Sequence, residues 1–304
     1  MRSHLGKVIM ATRVNMGVSL ARIVRISRPR FWAYEAGTFA IGCMLALRPL
    51  EYPLHHVTPI LLAFLFYFLF PANLLIYGVN DIFDYETDRL NPKKVEYEAL
   101  VTPNEHRPLT QWIAITTFPF LLLLFYESQP TIISFAFFLI FAVFYSAWPL
   151  RAKVRPGFDS LFSAGHYVAT GVFGYYLAGG AALDWQIVAA AMCWSIAMHA
   201  YSAVPDIEFD GESGVDTIAT FLGREKTLWL CLLLYITATL AAFEHLGAIA
   251  IVLGVIYAAI VIASIYAKSA DDLFRLYTYF PLLNLASGFA IFLTLAIFQR
   301  YALF

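Results

Sequence analysis

Charge is what this chain has least of: 20 Lys and Arg and 21 Asp and Glu make up 13% of its 304 residues, about half the share of a soluble globular protein. An ordinary cytosolic enzyme is thereby excluded. A net charge of −1 leaves no basic surplus for a nucleic-acid partner. Cysteine is scarce as well. Cys43, Cys193 and Cys231 all fall inside apolar segments without paired spacing, so they read as small packing residues, not as a disulfide framework or a zinc site. The first thirty residues are basic but lack a short apolar core followed by a cleavage site, so no removable signal peptide is expected. Low-complexity tracts, Ser/Gly linkers and shifts of composition are missing too. One domain over residues 1–304 is expected, with about residues 1–30 as a cytosolic N-terminal segment.

Apolar residues take the place of charge: 61% of the chain is hydrophobic, 17% is aromatic and the mean hydropathy is +0.70. They come in blocks of about 20, the length that crosses a hydrocarbon core as a helix. The reading is an all-α integral membrane protein with spans near residues 31–49, 57–80, 109–127, 130–148, 159–180, 184–204, 226–243, 246–267 and 278–299. With nine spans, 18 of the 20 Lys and Arg residues fall on one side and only Arg48 and Arg300 on the other. The positive-inside rule then puts the N-terminus and the long loops 81–108 and 205–225 in the cytoplasm of a multi-pass cell-membrane protein.

Nine of the 21 acids lie in two short stretches: Asp81, Asp84, Glu86 and Asp88 after the second span, and Asp206, Glu208, Asp210, Glu212 and Asp216 after the sixth. On helices continued past the membrane, Asn80, Asp84 and Asp88 share one face, as do Asp206 and Asp210. Like charges at that spacing repel unless a cation sits between them. Oxygen donors with one or two carboxylates per ion suit Mg²⁺ bound together with phosphates. Two such faces at the same end of two non-adjacent spans therefore point to a diphosphate bridged by Mg²⁺. Either stretch alone would equally read as loop acids solvating a membrane surface. Asp81 and Asp216 lie off these faces, and Glu86, Glu208 and Glu212 read as solvated.

The run Asn80-Asp81-Ile82-Phe83-Asp84-Tyr85-Glu86-Thr87-Asp88 resembles the N-D-x-x-D-x-x-x-D signature of the UbiA superfamily of intramembrane prenyltransferases. Asp206-Ile207-Glu208-Phe209-Asp210 resembles that family's second motif, D-x-E-x-D, and the continuation 214–223 also matches. Tyr145 to Lys153 is similar to its Y-S-x-P-x-R-x-K segment, with Trp148 where a second proline is common. The resemblance spans the whole chain. It implies nine helices around a central lipophilic cavity capped by cytosolic loops. Carried over, it implies that Asn80, Asp84, Asp88, Asp206 and Asp210 hold Mg²⁺ on an isoprenyl diphosphate donor, and that Arg151 and Lys153 contact the diphosphate. Asp84, Asp88, Asp206, Asp210 and Lys153 are then the expected catalytic residues. Metal and Lys/Arg together neutralise the charge that grows on a leaving diphosphate. Arg151 and Lys153 would also satisfy the positive-inside rule without any ligand, and Arg89, Lys93 and Lys94 are further basic candidates.

Glu35, Asn73, His166, His199 and Asn284 stand within or near spans, where an ionisable group costs about 2.5–3.5 kcal/mol at the helix centre on insertion scales. Each is a functional suspect, or else an interhelical hydrogen-bonding group. His199, two turns before Asp206, could face the cavity below the metals, and His166 could accept a proton. Among the aromatics, Tyr77, Tyr145, Tyr167 and Tyr201 are candidate walls for an allylic cation.

Motifs common to the superfamily do not choose the acceptor. The segments Ser27 to Trp32, Asn91 to Lys94 and Met198 to Asp206 resemble the lycopene elongase branch. That resemblance implies dimethylallyl diphosphate as donor and lycopene as acceptor in C50 carotenoid biosynthesis, with or without hydration. An aromatic-acid or quinone-precursor acceptor is the alternative. An ion-coupled transporter is the reading from another class, although carriers usually bind near the bilayer midplane.

Overall fold

The computed structural model describes residues 17–48, 53–89 and 100–297, and every regular element among them is helical. A short α1 (Leu20–Ile26) leads into α2 (Trp32–Leu47), followed by α3 (Pro59–Leu69), α4 (Pro71–Phe83) and the single turn α5 (Tyr85–Asp88). Next come α6 (Pro103–Leu123), α7 (Gln129–Ser146), α8 (Phe158–Leu177) and α9 (Trp185–Ala203). Two short helices, α10 (Ile207–Glu212) and α11 (Ile218–Leu222), precede the closing trio α12 (Arg224–Leu246), α13 (Ala248–Ile265) and α14 (Ala270–Ile297).

Seven segments of the described chain are long and apolar enough to cross a membrane: Pro59–Phe83, Pro103–Tyr126, Gln129–Ser146, Trp185–Glu212, Arg224–Leu246, Ala248–Ile265 and Ala270–Ala296. The other two expected spans, 31–49 and 159–180, fall on α2 and α8, and the count of nine is not reached by this measure. Helix α2 has only 16 residues, and α8 buries Asp159, Ser160, Ser163, His166 and Thr170. These helices pack chiefly on protein: α2 on α3, α8 and α14, and α8 on α2, α7 and α9. A helix shielded from lipid can carry polar groups that neighbours satisfy.

Glycine sets the α2–α8 approach. A Cβ on Gly42 would collide with the carbonyl oxygen of Gly171, and one on Gly174 with that of Phe39. Between α3 and α4, Pro71 has no N–H to donate and the chain bends at Phe70 (φ −118°). The Asn73 side-chain amide donates to the carbonyls of Phe68 and Leu69 at 2.8 and 3.0 Å. Asn73 thus satisfies backbone groups at the break, the structural alternative for this residue.

Two aromatic cores flank the middle of the bundle. One gathers Phe39, Phe64, Phe68, Phe135, Phe138 and Phe173, with Phe64 and Phe173 centroids 4.8 Å apart. The other holds Tyr201, Tyr235, Tyr257 and Phe280, with Tyr235 and Tyr257 stacked at 4.7 Å.

Candidate active site

Both acidic segments follow a break in a helix. Helix α4 stops at Phe83, and Asp84 caps it with φ −102° and ψ 2° before α5 begins. After α9, Pro205 sits in a 3-10 turn (Val204–Asp206), and Asp206 takes φ −99° and ψ 4° before α10. The expected continuous helical faces are therefore corrected: in each motif an aspartate occupies the sparsely populated bridge region, between two helical pieces. Proline accounts for the second break, since it removes a helical N–H.

Around Asp84 the structure assembles three other expected residues, Asn80, Arg151 and Lys153. Lys153 Nζ contacts Asp84 Oδ2 directly and lies 3.4 Å from Asn80 Oδ1. Arg151 approaches Asp84 Oδ1 at 3.4 Å, and the Ser146 hydroxyl donates to Asn80 Oδ1 at 3.2 Å. Both basic residues come from the loop between α7 and α8. Burial pushes the Lys153 ammonium down to about 7, with the Asp81 charge opposing that shift and Arg28 adding to it. Such a lysine needs an anion beside it to stay charged.

Arg28, not singled out in sequence as a site residue, completes the basic rim. Its guanidinium pairs with Asp81 at 3.0 Å and lies 4.5 Å from the Tyr77 ring centroid. Arg28 and Arg151 are the two non-glycine residues with positive φ among the described residues, at 50° and 43°. Left-handed backbone is uncommon outside Gly, Asn and Asp, and its concentration at two site arginines marks over-determined positions. No sequence signal pairs Arg28 with Asp81, because the partners are 53 residues apart.

Asp88, Asp206 and Asp210 are half-buried, whereas Glu86, Glu208, Glu212 and Asp216 are exposed. Tyr145 links the two segments: it adjoins Ser146 and lies within electrostatic range of Tyr77, Asp159 and Asp210. Arg89 is engaged with Glu86 at 3.0 Å on the exposed side. Lys93 and Lys94 lie outside the described residues.

Asp159, also unflagged by sequence, is the brace of the second segment. Fully buried, it accepts hydrogen bonds from the backbone N–H of Gly157 at 2.8 Å and of Ile218 at 3.0 Å. His199 Nε2 stands 3.7 Å from Oδ2, the oxygen that accepts from Ile218, with the His199 ring edge-on to Tyr145 at 6.0 Å. His199 thus faces this brace, and tethering Ile218 fixes the return of the loop that carries Asp206 and Asp210. Hydrogen bonds to a charged group contribute about 1.5–3 kcal/mol each. Asp159→Ala is expected to lower the melting temperature and to expose the 205–225 loop to protease. An unchanged cleavage rate there would refute the brace.

Among the described residues, no three His, Cys, Asp or Glu side chains converge closely enough to hold a metal ion by themselves. That geometry fits an ion that takes one or two carboxylates from protein and the rest of its oxygens from water and phosphate, as Mg²⁺ does. Asn80 and the four aspartates offer oxygen donors only, a set that suits a hard divalent ion.

Below this polar end lies a cavity of about 600 Å³ between the two aromatic cores. Tyr34, Tyr167 and Met198 line it toward the acid-bearing end, and Leu246 and Leu295 toward the other. Rings bridge it to the polar rim: Tyr167 to Tyr34 at 6.3 Å, Tyr34 to Phe31 at 5.9 Å and Phe31 to Tyr77 at 5.8 Å. Tyr201 is not part of this wall; its hydroxyl meets Ser264 at 2.8 Å and its ring packs on Phe280 at 4.5 Å. Asn284 accepts from the Tyr257 hydroxyl at 2.8 Å beside the cavity.

Residues 36–299 match the family model described as the UbiA prenyltransferase family. A lycopene elongase/hydratase of Haloferax volcanii is 36% identical over 282 residues, which cover 91% of this chain and 89% of that protein. The C(50) beta-cyclic carotenoids biosynthesis protein LbtBC of Dietzia sp. is 36% identical over 219 residues, 70% of this chain and 48% of that protein. Among solved structures, a UbiA homolog from Archaeoglobus fulgidus bound to DMAPP and Mg²⁺ superposes with a TM-score of 0.63 at 21% identity, covering 89% of this chain and 99% of that one. An apo UbiA homolog from Aeropyrum pernix K1 gives a TM-score of 0.66 at 21% identity, covering 87% and 96%. These two share the fold.

Proposed function

The chain belongs to the UbiA prenyltransferase family, and on that premise we propose that it transfers the dimethylallyl group of its diphosphate to lycopene, ending in proton loss or hydration. The observation that carries this reading is the placement of a carboxylate- and cation-rich rim directly over an apolar cavity, with aromatic rings at the junction. A diphosphate needs the first surface and a hydrocarbon acceptor the second. Relatives named for lycopene elongation and hydration support lycopene as the acceptor.

On this reading Asn80, Asp84, Asp88, Asp206 and Asp210 hold Mg²⁺, which when bound supplies Lewis-acid neutralisation of the departing diphosphate. Arg151 and Lys153 move from the Asp84 carboxylate to phosphate oxygens, so that Asp84 becomes available as an oxygen donor. Arg28, already above Tyr77, adds a third cation at the rim. Tyr34, Tyr77 and Tyr167 face the allylic cation, each π-face contributing about 0.5–2 kcal/mol when desolvated. The apolar lining keeps bulk water from quenching it.

The charge bias puts this rim on the cytosolic side, and residues 1–304 act as one domain. The carrier reading falls with the family assignment. Coexpression with lycopene biosynthesis in a bacterium, followed by mass analysis of the pigments, is expected to show gain of one or two five-carbon units, with or without water. Unchanged lycopene despite membrane expression would overturn the acceptor and point to an aromatic one.

A further inference from the structure

Glu35 and His166, 131 residues apart in sequence, meet inside the bundle with Oε1 and Nδ1 2.5 Å apart. The Thr170 hydroxyl lies 2.8 Å from Glu35 Oε2 and equally far from the His166 carbonyl. Glu35 and His166 are 1% and 4% exposed, at the heart of the α2–α8 contact. Ionisable groups within a membrane bundle are rare and expensive. The same structure shows how uncharged side chains do structural work at that depth, in Asn73 at the Pro71 break and in Asn284 with Tyr257. A carboxylate paired with an imidazole adds what amides lack, a site that can gain and lose a proton.

We infer that His166, oriented by Glu35, is the terminal proton acceptor of the prenyl transfer, an assignment that rests on the reaction proposed above. A carboxylate accepting from Nδ1–H fixes the ring tautomer and leaves the lone pair on Nε2. The position suits a proton acceptor, because the His166 ring is 4.2 Å from that of Tyr167, which lines the cavity. The Glu35 carboxylate is also within electrostatic range of Tyr77 and Tyr167. The dyad therefore sits beside the aromatic rings at the junction of rim and cavity.

The allylic C–O bond breaks, diphosphate leaves with its electron pair, and a lycopene double bond forms the new C–C bond at that carbon, which leaves a tertiary cation on the acceptor. In the eliminating branch a neighbouring C–H bond breaks, its electron pair becomes the new C=C bond, and the proton passes to His166. In the hydrating branch a water oxygen forms the C–O bond and loses its proton to the same nitrogen. Either way the imidazolium is held against the Glu35 carboxylate and discharges to water. Glu35 is a positioning residue, since it acts through His166.

The test uses the full chain reconstituted in lipid with Mg²⁺, dimethylallyl diphosphate and lycopene, reading diphosphate release and the ratio of eliminated to hydrated product. His166→Gln keeps a hydrogen-bonding group opposite Glu35 without a basic nitrogen, and is expected to turn over about 10²–10³-fold more slowly. His166→Ala is expected to lose as much and to recover roughly tenfold with added imidazole. Glu35→Gln should shift the product ratio. Wild-type turnover and product ratio in folded His166→Gln would overturn the inference, as would a loss in folded His166→Ala that imidazole does not restore. Wild-type protein that releases no diphosphate with lycopene would instead overturn the proposed acceptor.

Discussion

Asp84→Asn protein is expected to insert and fold yet to turn over about 10²–10³-fold more slowly, the range seen when one group that stabilises developing charge is removed. The carboxylate has two duties on the proposed chemistry. In the free protein it is the counter-ion of Lys153 and Arg151, and in the reacting complex it is an oxygen donor to the metal. Asparagine keeps the shape and an oxygen but loses the charge on which both duties rest. Breaking a buried pair by deleting one partner costs about 3–5 kcal/mol when the orphaned charge has no escape. Lys153 has one, because burial has already brought it down to about 7 and it can give up its proton. The stability loss should therefore fall below that range. Adding Lys153→Met removes the orphan, so the double variant should recover thermal stability without recovering activity. Thermal unfolding in detergent and diphosphate release separate the two quantities. Near-wild-type turnover of Asp84→Asn would sink the role assigned to this carboxylate.

How much of this was legible in the chain depends on whether a feature is local. Both acidic segments were visible because their spacing is a sequence property, and so was Lys153 with Arg151. The assumption behind the spacing, an unbroken helix, was wrong at Asp84 and at Pro205. What survived was the presence of oxygen donors at one end, which does not depend on helix continuity. Arg28 escaped because the partner that makes it specific, Asp81, is distant, and Asp159 because its partners are the backbone N–H groups of Gly157 and Ile218. Backbone partners leave no residue pattern to read. Glu35 and His166 were each conspicuous as charge in an apolar run, but nothing local says that they touch. Hydropathy likewise found α2 and α8 without revealing that protein, not lipid, surrounds them.

The α2–α8 contact that brings Glu35 to His166 also yields the largest expected stability effect of a single methyl group. Gly42→Ala would drive a Cβ into the Gly171 carbonyl oxygen. That obstacle is backbone, which has no rotamer to retreat into, so the helices must part. Parting them loosens the Phe39–Phe173 contact, now 6.1 Å between centroids, and stretches the Glu35–His166 hydrogen bond. Overpacking a well-filled contact costs about 1–3 kcal/mol, and a backbone obstacle belongs at the upper end. The gain in helix propensity from Gly to Ala, about 1 kcal/mol, offsets part of this. Gly37 is the internal control. It lies on the same helix and lines the cavity, and a Cβ there meets nothing within 4 Å. Gly37→Ala should therefore keep the propensity gain and raise the melting temperature, while Gly42→Ala lowers it, a separation of about 2–3 kcal/mol between two identical chemical changes. Equal melting temperatures for the two variants would mean that α2 and α8 do not approach at Gly42 and Gly171. The meeting of Glu35 with His166 would then lose its structural basis.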